Sequence, residues 1–376
     1  MNISSSFPFF PEDSLNSTLD EIKLVLKSGR LTGGPYVQEF EKNFAEYNKI
    51  KYAVAVSSGT AAIEAALRYF KLAGREVIVP THTYVSVPNT VLFAGGKPVF
   101  ADMKEDTLCI DPDDVIKKLS PNTAGVIVVH IAGLVCPQIN ELKELCREKG
   151  LFLLEDAAHA HGAMIDGRMA GTIGDAGCFS FFATKVMTTC EGGMIITNNS
   201  QLDKEARCLR NDGLNFERKA VMLGSNWRLN EMAAVMGKHQ LEHLEEFVNK
   251  RNEVARWYEK ALNDVKGISL FKTPSNIRHS YYKYPIKLAN GIEREKLSFL
   301  LKEKYGVETG HLYYPPCHLQ PVFVEILGSR MDHLPVAESA LNKVLCLPMH
   351  YCITKENVDY IHDALVSSID ELSKTF

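Results

Sequence analysis

The sequence has no apolar run that approaches the roughly 20 residues of a membrane-spanning helix. The longest candidate, from Ala124 to Val135, is interrupted by His130. The N-terminal segment has neither a basic start nor a long apolar stretch, so we expect no secretory signal. These absences predict a protein that neither spans a membrane nor is exported.

Paired cysteines and blocks of basic charge are also lacking. The nine cysteines are an odd number without a Cys-x-x-Cys pair, which is typical of free thiols in a reducing compartment, so we expect a cytoplasmic protein. The net charge is −4 and Lys and Arg are spread along the chain, which argues against a nucleic-acid-binding protein. We find neither zinc-type spacing nor a G-x-S-x-G elbow, so we predict no metal site and no serine hydrolase.

Short β-branched runs alternate with helical segments between residues 50 and 200. The predicted strands are Tyr52–Val56, Val77–Pro80, Lys97–Asp102, Gly125–His130, Leu151–Glu155, Cys178–Phe181 and Gly193–Thr197. The predicted helices include Ala61–Leu72, Val85–Ala94, Asp111–Lys118 and Ile139–Lys149. This alternation favours an α/β fold with a mostly parallel, seven-stranded sheet that is covered on both faces.

The length of 376 residues allows one large domain and a smaller one. We place the large domain, with an N-terminal arm, at residues 1–245. A long helical pattern runs from Asn230 to about Ala261 and predicts a connector helix. Residues 246–376 are predicted to hold this connector and a smaller C-terminal α+β domain.

Polar motifs follow several of the predicted strands. They are Ser57–Thr60, Thr81–Tyr84, Asp156–His159 and Ser180–Lys185. In parallel sheets the ligand binds at the carboxyl ends of the strands, so these motifs converge on one edge. By contrast, Gly171-x-x-Gly174-x-x-Gly177 has the wrong spacing for a dinucleotide loop and predicts a turn before a strand.

Lys185 and Asp156 are the strongest chemical candidates. A lysine with a hydroxyl five residues before it and Gly192-Gly193 ahead suits covalent attachment of pyridoxal phosphate as a Schiff base. An aspartate at a strand end can pair with the protonated pyridine nitrogen of that cofactor. Taken singly, each has an ordinary alternative: a lysine after a strand is commonly a solvated surface charge, and Glu155-Asp156 could equally be two capping carboxylates. Neighbouring strand residues point to opposite faces, so only one of this acidic pair is expected to reach the site.

Further residues are candidates for the cofactor site, and each has an ordinary structural alternative. Gly59 and Thr60 open a helix and could cradle a phosphate together with Ser180, or the segment is a plain N-cap. Tyr84 could stack on a planar ring or simply pack. Two more candidates are His159, as a donor to the cofactor's phenolic oxygen, and Asn226, as a phosphate donor or a helix cap.

Together these residues resemble the DegT-like family of fold-type I, pyridoxal-phosphate-dependent aminotransferases, which act on keto sugars that are usually nucleotide-linked. The resemblance extends over almost the whole chain. It comprises Leu31–Pro35, Phe40-Glu41, Ser58–Ala62, Glu155–His159, Phe179–Phe181, Lys185, Glu191–Gly193, Asn226–Arg228, Pro316–His318 and Leu347-Pro348.

The resemblance implies a role for each candidate. Lys185 is then the cofactor lysine and the group that shuttles the proton, and Asp156 is the pyridinium partner. His159 takes a position where the family has Gln or His. Contacts to the phosphate are implied for Gly59, Thr60 and Ser180, ring stacking for Tyr84, and a phosphate contact from the neighbouring subunit for Asn226. The last of these implies a homodimer with shared active sites.

The sequence departs from the family pattern at two places. Cys190 stands where glycine is usual, so the backbone there must accept a Cβ. Asn211-Asp212 stands where a His-Gly ending is common, on the substrate side. Four aromatic and imidazole side chains of the C-terminal part could face the sugar or merely pack: His311, Tyr313, Tyr314 and His318.

The expected activity is transfer of an amino group, from L-glutamate, to a keto sugar such as a nucleotide-linked 4-keto-6-deoxyhexose. One alternative is a sugar dehydratase of the same fold, but such enzymes commonly replace the lysine by histidine. The other is a non-catalytic regulatory protein with this fold. An intact set of lysine, aspartate and phosphate residues argues against it.

Overall fold

The computed structural model describes residues 2–328 and 333–373. The helices are α1 Glu12–Ser28, α2 Pro35–Tyr47, α3 Gly59–Tyr69, α4 Ser86–Phe93, α5 Pro112–Lys118, α6 Ile139–Lys149, α7 Ser200–Leu209, α8 Glu231–Glu242, α9 Leu244–Leu262, α10 Arg294–Tyr305, α11 Pro321–Leu327, α12 Pro335–Ala340 and α13 Lys355–Ser373. The strands are β1 Tyr52–Val56, β2 Glu76–Pro80, β3 Lys97–Ala101, β4 Thr123–Val129, β5 Phe152–Asp156, β6 Met164–Ile165, β7 Arg168–Met169, β8 Ala176–Ser180, β9 Gly193–Thr197, β10 Ile268–Leu270, β11 Ile277–Arg278, β12 Tyr284–Leu288 and β13 Val344–Leu347. Within these ranges no helix has both the length and the apolar character that crossing a membrane requires.

The central sheet has seven strands in the order β1-β9-β8-β5-β4-β2-β3. The pairs β2–β3, β2–β4, β4–β5 and β5–β8 are parallel, whereas β9 runs antiparallel to both β1 and β8. Six strands therefore share one direction. The predicted mostly parallel, seven-stranded sheet is confirmed, and its strands differ from the predicted bounds by two residues at most. The agreement arises because these strands are mostly apolar and largely buried, with polar residues confined mainly to their ends.

A second, antiparallel sheet of β10, β12 and β13 lies in the C-terminal part of the chain. It packs with α10 and α13 around its own apolar core, which includes Tyr258, Ile286 and Leu301. This arrangement confirms the smaller α+β unit. Helix α9 contributes to both cores, since Val248 packs in the large core and Tyr258 in the small one. The boundary between residues 245 and 246 stays a prediction.

The predicted connector is two helices and not one. Helix α8 ends at Glu242 and α9 begins at Leu244, with His243 between them at φ −99° and ψ 2°. The sequence pattern conceals this break because Leu241 and Leu244 are both buried and follow helical spacing across it.

Two adjacent carboxylates end β5, and they face opposite ways. Glu155 is fully buried and accepts hydrogen bonds from the amides of Gly171, Ile173 and Gly174 at 2.8, 2.6 and 2.5 Å. It also lies 2.8 Å from His130 Nε2. Because His130 Nδ1 accepts the Cys136 N–H at 3.1 Å, the proton on Nε2 is the one donated to Glu155.

The pKa of Glu155 reflects this environment. Burial raises it, but the hydrogen bond and charge of His130 and the glycine amides more than compensate, so the pKa lies below its ordinary value. Glu155 is therefore a structural anion that connects the end of β5 to β4 and to the glycine turn before β8.

We predict that Glu155→Gln lowers the free energy of unfolding by about 3–5 kcal/mol, because one amide cannot replace a buried carboxylate that accepts four donors. Chemical denaturation at neutral pH measures this loss. Because the folded-state pKa is depressed, the stabilisation is present above the unfolded-state pKa and is lost as the pH falls through the folded-state value.

The matched control is Glu144→Gln on α6, where the glutamate pairs with Arg147 at the exposed surface. We expect this control to change stability little. Equal denaturation curves for the two variants would contradict the structural role of Glu155.

Candidate active site

A pocket of about 390 Å³ opens at the carboxyl edge of the central sheet. It brings together most of the predicted site residues, which are Gly59, Thr60, Tyr84, Asp156, His159, Ser180, Lys185 and Tyr313. They come from the loops after β1, β2, β5 and β8 and from the C-terminal part of the chain. The parallel strand order places these loops side by side, as expected for such a sheet.

Lys185 lies in the turn that follows β8, where its N–H donates to Phe182 O at 2.9 Å. Its Nζ lies 4.5 Å from the centre of the Tyr282 ring. Burial lowers the pKa of Lys185 to about 8; the charge of Asp156 opposes this shift and that of Lys283 adds to it. A group with this pKa is roughly one-tenth neutral at pH 7, far more than an ordinary lysine, so Lys185 can act as a nucleophilic amine.

Asp156 lies at the end of β5 and is 6% exposed. Its Oδ1 accepts the Ala158 N–H at 3.0 Å. Along residues 2–328 and 333–373 it makes no ion pair, and burial raises its pKa above the ordinary value. A buried carboxylate without a cationic partner is costly, so this position suits a ligand that carries a positive charge.

The first turn of α3 approaches Ser180 closely. Ser58 caps the helix by accepting the Ala61 N–H at 3.1 Å. At Gly59 a Cβ would lie 2.7 Å from the Cβ of Ser180, so the close approach requires glycine. The free amides of this helix N-terminus and the Ser180 hydroxyl thus border one small space, which is suited to an anion such as phosphate.

Aromatic rings form the wall of the pocket opposite α3. His159 stacks on Tyr282 with ring centres 4.3 Å apart, and its Nε2 lies 2.8 Å from Tyr313 Oη. Tyr84 is 56% exposed and lies 5.5 Å from Tyr313, ring centre to ring centre. Burial lowers the pKa of His159 well below its ordinary value, so the imidazole is neutral. Its Nδ1 is buried and has no hydrogen-bond partner within the described part of the chain.

These features fit pyridoxal phosphate. The unpaired Asp156 carboxylate matches a pyridinium nitrogen, and the orphaned His159 Nδ1 matches a polar ring substituent. The space beside Gly59 and Ser180 matches the phosphate, and the depressed pKa of Lys185 matches a nucleophilic amine.

Four predicted residues do not line this pocket. Asn226 is exposed and bridges Asn211 through its backbone, and His311 is exposed. The Tyr314 ring packs against Arg294, whose guanidinium carbon lies 4.9 Å from the ring centre. His318 is buried, with Nδ1 2.6 Å from Thr81 Oγ1 and Nε2 3.2 Å from Glu338.

Tyr282, Thr184 and Glu191 also line the pocket and were not among the predicted site residues. Tyr282 contacts Lys185 and His159 and places its hydroxyl 3.1 Å from Thr184 Oγ1. The run Tyr281-Tyr282-Lys283-Tyr284, just before and at the start of β12, is an available sequence signal, because it clusters three tyrosines around a lysine. Nothing local shows that it reaches a site about 100 residues away.

The two departures from the family pattern have structural counterparts. Cys190 has φ +66°, the left-handed conformation that glycine adopts without strain. Asn211 and Asp212 accept hydrogen bonds from Arg228 at 2.7 and 2.8 Å, so they fix the residue that follows Trp227.

The sequence profile of the DegT/DnrJ/EryC1/StrS aminotransferase family matches residues 13–366. The chain belongs to this family. The resemblance inferred from the motifs, the fold type and the enzyme class, aminotransferase, are thereby confirmed.

Characterised relatives align over most of their length. The GDP-perosamine synthase of Escherichia coli O157:H7 is 33% identical over 335 residues, which cover 88% of this chain and 90% of the relative. DesI, solved in the presence of its TDP-sugar product, superposes with a TM-score of 0.91 at 31% identity and covers 100% of this chain and 95% of that one. DesV of S. venezuelae, in complex with a ketimine intermediate, superposes with a TM-score of 0.89 at 32% identity. The superposition covers 96% of this chain and 98% of that one.

We predict that Cys190→Gly raises the free energy of unfolding by about 0.5–1 kcal/mol relative to Cys190→Ala, because only glycine relieves the left-handed strain. The alanine variant removes the thiol but keeps the Cβ, so it isolates the backbone effect. Thermal or chemical denaturation measures the difference. A glycine variant no more stable than the alanine variant would show that the strain is absent.

Proposed function

We propose that this protein is a pyridoxal-phosphate-dependent aminotransferase that moves an amino group from L-glutamate to a keto carbon of a nucleotide-linked sugar, such as a 4-keto-6-deoxyhexose. The observation that carries the proposal is one pocket that holds a nucleophilic Lys185, a buried unpaired Asp156 and the N-terminus of α3. The GDP-perosamine synthase and the TDP-sugar complex of DesI support the nucleotide-sugar class of substrate. Both also favour amino transfer over the dehydratase and regulatory alternatives.

The cofactor supplies a carbonyl that can accept an amino group and a ring that delocalises charge from the reacting carbon. Lys185 Nζ would hold the cofactor covalently and, once displaced by the donor's amine, move the proton between carbon atoms. The lowered pKa of Lys185 supports this role, because the group must accept and return a proton near neutral pH.

The remaining pocket residues would orient the cofactor. The Asp156 carboxylate would hold the positive ring nitrogen, and the neutral imidazole of His159 would bond the phenolic oxygen. The first amides of α3, at Gly59 and Thr60, and the Ser180 hydroxyl would bind the phosphate. Tyr84, half-exposed at the edge, would cover the ring.

The sugar would enter on the side of Tyr313, which lines the pocket and forms a hydrogen bond with His159. His311 and Tyr314 lie beyond it, at exposed positions of the same loop, and suit contacts to the distal part of the substrate. His318, buried against Thr81 and Glu338, would act on the sugar side by holding this loop in place.

A symmetric homodimer with shared sites is part of the proposal. Asn226 lies on an exposed segment whose apolar side chains face solvent, with Phe216 fully exposed and Leu223 89% exposed. Such side chains suit burial against a second copy. Because Asn226 does not line the pocket of its own chain, it is available to the phosphate of the partner's site.

The proposed compartment is the cytoplasm. All nine cysteines are unpaired, and most are buried. Thiols that persist without pairing are typical of a reducing environment.

The activity is tested by incubating the enzyme with pyridoxal phosphate, L-glutamate and a panel of nucleotide-linked keto sugars, with products identified by mass. We expect an amino sugar from at least one panel member and none with Lys185→Ala, because among the described residues that line the pocket no other offers a primary amine. Asp156→Asn should keep the cofactor but lose activity by orders of magnitude. Product formation at the wild-type rate by Lys185→Ala would refute the mechanism.

The shared site is tested by refolding Lys185→Ala chains together with Asn226→Asp chains, the latter designed to repel the phosphate. If Asn226 acts across the interface, each mixed dimer has one intact site, so roughly a quarter of all sites recover by two-fold arithmetic. If Asn226 serves its own chain, no intact site forms. Activity no higher than that of the separate variants, with mixed dimers present, would defeat the proposal.

A further inference from the structure

A second lysine, Lys283, lies beside the cofactor lysine. Its Nζ is 5.2 Å from the centre of the Tyr282 ring, and Lys185 Nζ is 4.5 Å from the same centre. Both Nζ atoms contact the same aromatic ring, so they are no more than about 10 Å apart. Tyr282 itself is 8% exposed, so little water separates the charges.

Lys283 lacks a counter-ion. Through residues 2–328 and 333–373 it forms no ion pair, and its backbone N–H donates to Ala132 O at 3.2 Å. Nearby Arg251 is 5% exposed and donates to the carbonyls of Tyr281 and Met349, not to a carboxylate. Positive charge on this side of Tyr282 is therefore not neutralised by the protein.

The titratable and charged groups around Lys185 come from several elements. They are Asp156, His159, His161, Glu191, Arg251 and Lys283. Burial lowers the pKa of both histidines, for His161 to about 3, so neither is charged at neutral pH. Burial is the largest cause of the lowered pKa of Lys185; Asp156 opposes it by stabilising the ammonium form, and the charge of Lys283 adds to the lowering. Burial also lowers the pKa of Lys283 from its ordinary value.

We propose that Lys283 is a positioning residue whose ammonium group, across the Tyr282 ring, increases the fraction of Lys185 that is a neutral amine. It acts through Lys185 and does not touch the substrate, since it is not part of the pocket lining. The proposal rests on the proposed role of Lys185 as the cofactor lysine. An ordinary lysine, with a pKa near 10.4, is almost wholly protonated at neutral pH and could neither attack a carbonyl nor accept a proton.

The test uses apoenzyme and trace acylation with acetic anhydride from about pH 6 to 11, a range that spans lysine titration. Mass spectrometry of the Lys185 peptide gives its acylation rate at each pH, and hence its titration midpoint. The variants are Lys283→Met, Lys283→Gln and Lys283→Arg. Lys287→Met is the matched control, because Lys287 lies four residues further on, in β12, and pairs with Glu105 at 2.7 Å near the surface.

We expect Lys283→Met and Lys283→Gln to move the Lys185 midpoint upward by about 0.5–1 pH unit, as removal of one charge within 10 Å implies. Lys283→Arg, which keeps the charge, should restore the wild-type midpoint, and Lys287→Met should leave it unchanged. Circular dichroism shows which variants are folded. One folded variant without the charge, Lys283→Met or Lys283→Gln, is enough for the comparison.

An unchanged midpoint in the folded neutral variants, or an equal shift in Lys287→Met, would overturn the proposal. A shift that Lys283→Arg fails to reverse would do the same, because it would show packing and not charge as the cause. Failure of the proposed function gives a different result: absorbance spectra would show that the wild-type apoenzyme binds no pyridoxal phosphate. The titration of Lys185 is independent of that result, because it needs no cofactor.

Discussion

The site depends on the buried carboxylate of Glu155. By accepting donors from His130 and from the turn at Gly171–Gly174, it joins the ends of β4 and β5 to the start of β8. Side chains alternate along a strand, so fixing Glu155 on one face directs Asp156 into the pocket on the other. The same turn sets the start of β8, whose end carries Ser180 and then Lys185.

Electrostatic imbalance is the second constraint on the site. The pocket combines a buried, unpaired carboxylate with a lysine of depressed pKa, and neither neutralises the other through a direct ion pair. Burying an unpaired carboxylate and burying a lysine each cost free energy in the isolated protein. A ligand that carries a cationic ring and an electrophilic carbon makes both arrangements favourable. The Tyr282 ring lies between this pair and the C-terminal part of the chain, where Lys283 Nζ is 5.2 Å from the ring centre.

Much of the candidate site follows from the sequence because its residues occupy strand ends. Asp156, Ser180 and Lys185 each lie at or just after a strand whose apolar character is evident, and a parallel sheet brings such ends together. Gly59 is predictable for the same reason, at a strand-to-helix turn. The sequence does not predict that the connector is divided into two helices, because the break at His243 leaves the apolar spacing intact.

The sequence by itself determined the sheet, its ligand-binding edge and the lysine–aspartate pair, since these depend on local periodicity and on residues at strand ends. Only the tertiary structure decided that Tyr282 and Tyr313 enter the pocket while His318 is buried against Thr81 and Glu338. It also decided that Lys283 lies near Lys185 and forms no ion pair with any residue that the structure describes. Apart from the His318–Glu338 contact, these contacts join residues about 100 or more positions apart. Their geometry depends on how the C-terminal part of the chain packs against the large sheet, which no local pattern encodes.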